Sequence, residues 1–249
     1  MIPATEDENQ RNLTSFLKLN FKMNNKPTTI LLDADRTIYE PDTSRFLNDK
    51  ANINLSEIKK GFEIGYTYNG FYLMNQIYSR IEFNNYRKYS DEIAHALQFY
   101  PGFESFIKKA EALADVVVVS SGIKAIIDSF FTQRGLSHIP RIVGTNVHQD
   151  DFLIGRNEKG LISEFFRSQG KCVIAFGDSD VDTIMLQKAH HAVVVVNHRN
   201  NQDLIPHLKK HPAVSQISFK DYFHPEIPKT SYEDFINCYP HLFSIEKHI

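Results

Sequence analysis

Residues 30–44 read ILLDADRTIYEPDTS, and the fold turns on how this stretch is read. Three apolar residues run straight into Asp33, and a second carboxylate follows two positions later at Asp35. On a strand, side chains alternate with period two, so Asp33 and Asp35 project to one face. Like charges that close repel one another and resist burial, so the pair calls for a cation or a proton.

Working outward, TTILLD (28–33) is followed by VVVVS (116–120), IVGTNV (142–147), CVIAFGD (172–178) and AVVVVN (192–197). Such runs, apolar and rich in β-branched residues, suit strands buried on both faces of a parallel sheet. Between them, GFESFIKKAEALA (102–114), IKAIIDSFFTQRG (123–135) and KGLISEFFRSQG (159–170) read as helices. The first follows Pro101-Gly102, a start signal, and the other two end in Gly, a C-terminal cap. This alternation predicts an α/β domain with a Rossmann-like parallel sheet. The interval 42–98 breaks the rhythm, because it reads as two or more helices rich in Tyr and Phe.

The expected organisation is an N-terminal extension (1–27), a core (28–41 and 99–218), an inserted helical cap (42–98) and a tail packed on the core (219–249). FLIGR (152–156), after Gln149-Asp150-Asp151, suggests a hairpin-like excursion over 142–156. NQDLIPHLKKH suggests a helix interrupted by Pro206, and SYEDFINCY a last helix in the tail.

The chain has 249 residues, 42% apolar and 23% charged, which suits one packed domain carrying an insertion. A formal charge of -2 gives no electrostatic reason to expect nucleic acid or an anionic membrane as partner. No run approaches the roughly 18 apolar residues of a membrane span. The acidic, polar start is unlike a signal peptide, and the two cysteines, Cys172 and Cys238, read as reduced thiols, so a cytoplasmic setting is expected. His190 and His191 are adjacent and point in different directions on any regular element, which argues against a shared metal site.

Four loci close the predicted strands or open a helix: Asp33–Thr37, Ser120-Ser121-Gly122, Lys159-Gly160 and Gly177–Asp182. Open α/β sheets build their sites at this edge. Together the four supply what phosphoryl transfer needs. Asp33 and Asp178 offer hard oxygen ligands for Mg²⁺, which would relieve the repulsion between the carboxylates. Thr37 and Ser120 (or its neighbour Ser121) offer hydroxyls to phosphate oxygens, and Lys159 a point charge, with Lys171 as its nearby competitor. Asp35 is placed to protonate a leaving alcohol and then to activate water.

On these residues the sequence resembles the haloacid-dehalogenase superfamily of phosphatases, in its phosphoserine-phosphatase-like branch. DADRT matches the DxDxT signature, Ser120 the strand-ending Ser/Thr, Lys159 the lysine, and GDSDVD the GDxxxD motif. The resemblance covers roughly residues 28 to 200. It implies that Asp33 is the nucleophile forming an aspartyl-phosphate and Asp35 the general acid/base. It also implies Mg²⁺ held by Asp33, the Asp35 carbonyl and Asp178, with Asp182 behind it, and phosphate bound by Thr37, Ser120, Ser121, Gly122 and Lys159. The substrate implied is a small phosphorylated metabolite. Transfer to an alcohol, or a non-catalytic binding module on the same fold, are the alternatives.

One departure bears on specificity. Branch members grip the substrate carboxylate with a cap Arg, and the comparable stretch here, Tyr66-Thr67-Tyr68-Asn69-Gly70-Phe71, has none. That disfavours phosphoserine and leaves Asp42, Tyr68 and Asn69 as candidate specificity residues. Arg36 sits where strand alternation turns a side chain away from the aspartate pair, so a salt bridge to the protein body or a solvated position is expected for it.

Overall fold

The computed structural model describes residues 3, 5–21, 26–145, 147, 152–196, 204–219 and 221–244. In chain order, α1 (Glu6–Asn20) leads to β1 (Thr28–Leu32). Four helices follow: α2 (Thr43–Lys50), α3 (Leu55–Gly61), α4 (Tyr68–Tyr78) and α5 (Phe83–Ala96). Next come α6 (Phe103–Leu113), β2 (Asp115–Ile123), α7 (Lys124–Gln133) and β3 (Arg141–Thr145). The second half runs α8 (Arg156–Ser168), β4 (Cys172–Gly177), α9 (Thr183–Lys188) and β5 (His191–Val196). It continues through α10 (Ile205–Leu208), β6 (Val214–Ser218), β7 (Lys229–Thr230) and α11 (Phe235–Cys238).

The strands form one seven-stranded sheet in the order β3-β2-β1-β4-β5-β6-β7, with every pairing parallel. β1 is central: Leu32 lies opposite Val118 of β2 and Phe176 of β4. Strand order reverses beside β1, so the ends of β1, β2 and β4 open onto one crevice, the usual ligand position in such sheets.

Alternation splits the core into two layers. Ile30, Leu32, Val118 and Phe176 face the helical insertion, α6, α7 and the tail. Leu31, Val117, Val173 and Ala175 face Leu13 and Leu17 of α1 and Ile162 and Phe166 of α8. In the first layer Phe176 packs against Phe106, Tyr232 and Phe235 with ring centroids 5.4, 5.9 and 5.0 Å away. Truncating such a ring in a packed core costs about 3–5 kcal/mol. The second layer is sealed by the N-terminal helix: Asn9 is buried, and its amide accepts from Leu153 N (2.6 Å) and donates to Leu153 O (3.0 Å).

The expected strands and helices of the α/β core are present, with informative shifts. β1 stops at Leu32, one residue short of Asp33. β2 runs on through Ser120-Ser121-Gly122 to Ile123, so these residues are strand and not a turn; its register against β3 shifts between Ser120 and Ile123. α8 starts at Arg156 because Gly155 caps it and the Glu158 carboxylate accepts from Gly155 N at 3.0 Å, so Lys159 sits a turn inside the helix. Pro206 occupies the first turn of α10, where its missing N–H breaks no bond, instead of interrupting a longer helix. The tail adds an edge strand, β7, as well as α11. Of the hairpin expected over 142–156, residues 146 and 148–151 lie outside the described residues, and 152–155 are irregular. The segment between β1 and β2 carries five helices, α2–α5 in the insertion and then α6, and an isolated bridge pairs Tyr39 with Phe99 where the insertion leaves and rejoins the core. No described helix is long and apolar enough to cross a membrane.

Candidate active site

Asp33 follows β1 directly, and its N–H donates to Phe176 O of β4 at 3.0 Å, which carries the sheet pairing one residue past the strand. Asp178 follows β4 in the same way. Behind them, the buried Lys159 ammonium donates to Asp33 Oδ1 at 2.5 Å and to Asp182 Oδ1 at 2.6 Å. Asp182 Oδ2 accepts from the N–H groups of Asp178 and Ser179, each at 3.1 Å. Gly177 makes this possible, since a Cβ there would lie 2.6 Å from Asp182 Cγ. Lys159 and Asp182 are fully buried, and a charge there is tolerable only because it is paired and hydrogen-bonded. Lys171, the competitor to Lys159, instead donates to Lys26 O, with its ammonium 3.6 Å from Asp115 at the start of β2.

Asp35 is held differently. Its carboxylate accepts from Tyr39 Oη at 2.8 Å, Thr43 N at 3.0 Å and Thr43 Oγ1 at 3.0 Å, all neutral donors. Gly122 stands beside it, where a Cβ would lie 3.5 Å from Asp35 Oδ2 and 3.1 Å from Ser120 Oγ. Ser120 is buried, with Oγ accepting from Gly122 N at 3.0 Å, and Ser121 is buried next to it. Thr37 is buried, its hydroxyl reaching Asp33 Oδ2 at 3.4 Å and its carbonyl accepting from Tyr232 Oη at 2.5 Å.

Burial raises the Asp33 carboxyl to about 6, helped by Asp182 and opposed by Lys159. Burial raises Asp35 to about 7, reinforced by Asp42 and Asp33 and opposed by the Tyr39 hydroxyl. Burial pushes Asp178 well above the usual carboxylate range, against the pull of Arg36. For Lys159 burial favours the neutral amine, but Asp182 and Asp33 outweigh it and hold the ammonium charged.

Arg36 forms the expected salt bridge, but not in the expected direction. Strand geometry ends before it, and the residue takes φ +60°, in the left-handed region. Alternation therefore does not apply, and the guanidinium turns inward: Arg36 Nε lies 2.9 Å from Asp178 Oδ2. The specificity candidates also scatter. Asp42 caps α2, accepting from Ser44 N at 3.1 Å and Ser44 Oγ at 2.6 Å. Tyr68 is buried with its hydroxyl donating to Pro3 O, among Tyr72, Glu158, Glu8 and Glu6, and Asn69 is exposed. Neither Tyr39 nor Thr43 was singled out from the sequence. The only signal was position: Tyr39 is four residues and Thr43 eight residues past Asp35.

No protein-family model matches the sequence, and no curated protein does. Solved structures do. A phospho-aspartyl intermediate analogue of phosphoserine phosphatase superposes with a TM-score of 0.59 at 18% identity, covering 86% of this chain and 99% of that one. A phosphoserine phosphatase in its apo form gives 0.57 at 18% identity over the same shares. The chain has the fold of phosphoserine phosphatase. A hydrolase of the haloacid-dehalogenase family from Salmonella enterica serovar Typhi shares that fold over 98% of this chain and 82% of its own, with a TM-score of 0.53 at 13% identity.

In this phosphoserine-phosphatase fold, Asp33, Asp178 and Asp182 bring carboxylate oxygens within 4.8 Å of one another. An all-oxygen, buried donor set of this kind fits a hard divalent cation such as Mg²⁺ and not a soft metal.

Proposed function

We propose that the protein is a divalent-metal-dependent phosphomonoesterase acting on a small phosphorylated metabolite through an aspartyl-phosphate on Asp33. The observation that carries this reading is the convergence of the Asp33, Asp178 and Asp182 carboxylates, with the buried Lys159 bridging Asp33 and Asp182 and with Asp35 two residues from Asp33. A Mg²⁺ ion held by Asp33 and Asp178 would neutralise phosphate charge there.

The chain's own residues divide the remaining work. Lys159 fixes the Asp33 carboxylate and keeps it anionic beside an incoming phosphate. The carboxylate attacks phosphorus and displaces the alcohol oxygen, which Asp35 protonates. A carboxyl raised to about 7 holds that proton near neutrality, and once ionised it accepts one from the water that hydrolyses the acyl-phosphate. The hydroxyls of Thr37 and Ser120 stand next to Asp33 and Asp35 and would donate to phosphate oxygens. Helices α2–α5 act as the cap that excludes water from the intermediate, and Asp42 and Thr43 lie where that cap begins.

Phosphoserine is a poor candidate, because Tyr66–Phe71 offers no guanidinium for a carboxylate. Turnover of p-nitrophenyl phosphate with Mg²⁺, followed by a panel of amino-alcohol, sugar and nucleoside phosphates, tests the reading. Activity that stops with EDTA, returns with Mg²⁺ and is lost in Asp33→Asn is the expected result. Undiminished activity in that variant would sink the mechanism.

A further inference from the structure

Arg36 combines two features that require explanation together. It is one of two non-glycine residues with positive φ among the described residues, a conformation that L-residues rarely adopt. It also places its guanidinium 2.9 Å from the buried carboxylate of Asp178, while its own side chain stays about one third exposed (31%). Backbone strain of this kind persists when surrounding contacts over-determine it, and it concentrates at functional sites. Here the contact that compensates for it is the Asp178 pair.

Lys159 already neutralises Asp33 and Asp182 from inside the protein. Asp178 lies in the field of the same lysine but pairs with Arg36, on a side chain about one third exposed that can withdraw. We propose that Arg36 is a tethered counter-ion: it holds Asp178 in the metal-free protein and must release it when a divalent cation binds, and so sets the metal affinity of the site. The inference rests on the phosphatase reading in taking Asp178 as a metal ligand. A guanidinium on Asp178 Oδ2 draws on the carboxylate charge that a cation would use and repels a doubly charged ion arriving there, so Arg36 engagement and cation binding oppose each other. Apparent affinity falls by the fraction of molecules in which the site is available. If Arg36 engages Asp178 about nine-tenths of the time, that reduction is about tenfold.

The test is calorimetric titration of Mg²⁺ into the full chain, after EDTA treatment, for wild type, Arg36→Gly and Arg36→Met. Glycine relieves the left-handed strain and methionine keeps it, so agreement between the two isolates the charge. Both variants are expected to bind Mg²⁺ about tenfold more tightly than wild type, and to gain more in melting temperature from saturating Mg²⁺. Equal or weaker binding in the variants overturns the proposal and leaves the phosphatase reading standing. Absence of Mg²⁺ binding in all three overturns both. A second measurement needs only wild type folded: the Arg36 Nε–H resonance should lose its protection from solvent exchange on adding Mg²⁺, and a protected resonance at saturating Mg²⁺ also overturns the proposal.

Discussion

Asp33 and Asp35 stand two residues apart, and the molecule holds them in opposite ways. Asp33 is gripped by an ammonium, Lys159 Nζ at 2.5 Å, itself anchored to Asp182. Asp35 is gripped by a phenol, a hydroxyl and a backbone N–H, none of them charged. A charged partner favours the carboxylate outright, whereas neutral donors only moderate the effect of burial. Their settings differ accordingly: about 6 for Asp33, with Lys159 opposing burial, and about 7 for Asp35, with Asp42 and Asp33 adding to burial. The difference in partners supports the proposed division, with Asp33 as the nucleophile and Asp35 as the proton carrier.

The largest break in that contrast is Asp33→Asn, which removes the nucleophile and leaves Lys159 in place. Turnover of p-nitrophenyl phosphate should fall by at least about 10⁴-fold, with an unchanged circular dichroism spectrum. Lys159→Met attacks the other partner. It strands Asp33 and Asp182 as buried carboxylates without a cation, and urea unfolding should show a loss of about 3–5 kcal/mol.

Asp35→Asn removes the proton carrier, and kcat should drop by about 10²–10⁴ with Mg²⁺ affinity little altered. It should also change how the metal-free protein responds to pH. The folded Asp35 carboxyl, at about 7, binds a proton that the unfolded chain, near 3.9, has already released. That contribution to stability is present in acid and is lost as pH rises through about 7. The melting temperature of the metal-free wild type should therefore decline more steeply between about pH 4 and 7 than that of the variant.

Tyr39→Phe is the mildest of these changes. It deletes a hydrogen bond worth about 1 kcal/mol and one of the donors that favours ionised Asp35. The alkaline limb of the pH–rate profile should move upward, and a downward move would contradict the arrangement described above.

Much of this was legible in the residues. The β-branched runs announced the buried strands, and the carboxylates that close two of them marked the edge where Asp33 and Asp178 meet. What stayed hidden was non-local or conformational. Period-two alternation placed Arg36 facing outward, because a sequence pattern carries no information on the residue at which the strand stops; β1 ends at Leu32 and Arg36 turns left-handed. Tyr39 and Thr43 read as ordinary loop residues until the chain folds back to lay them on Asp35. Tyr68 looked like a pocket residue, yet its hydroxyl meets Pro3 in the N-terminal segment, a contact 65 positions away. Edge strand β7 is two residues long and leaves almost no pattern to read.

The hydrogen bond from Tyr232 to the Thr37 carbonyl joins residues 195 positions apart. At about 5–20 residues per second, a ribosome makes the second partner roughly 10–40 s after the first. During that interval the loop carrying Asp33 and Asp35 lacks its buttress, and Phe106 and Phe176 lack the Tyr232 ring that packs against both. A growing chain thus acquires a finished loop only after Tyr232 has been made, long after the loop itself.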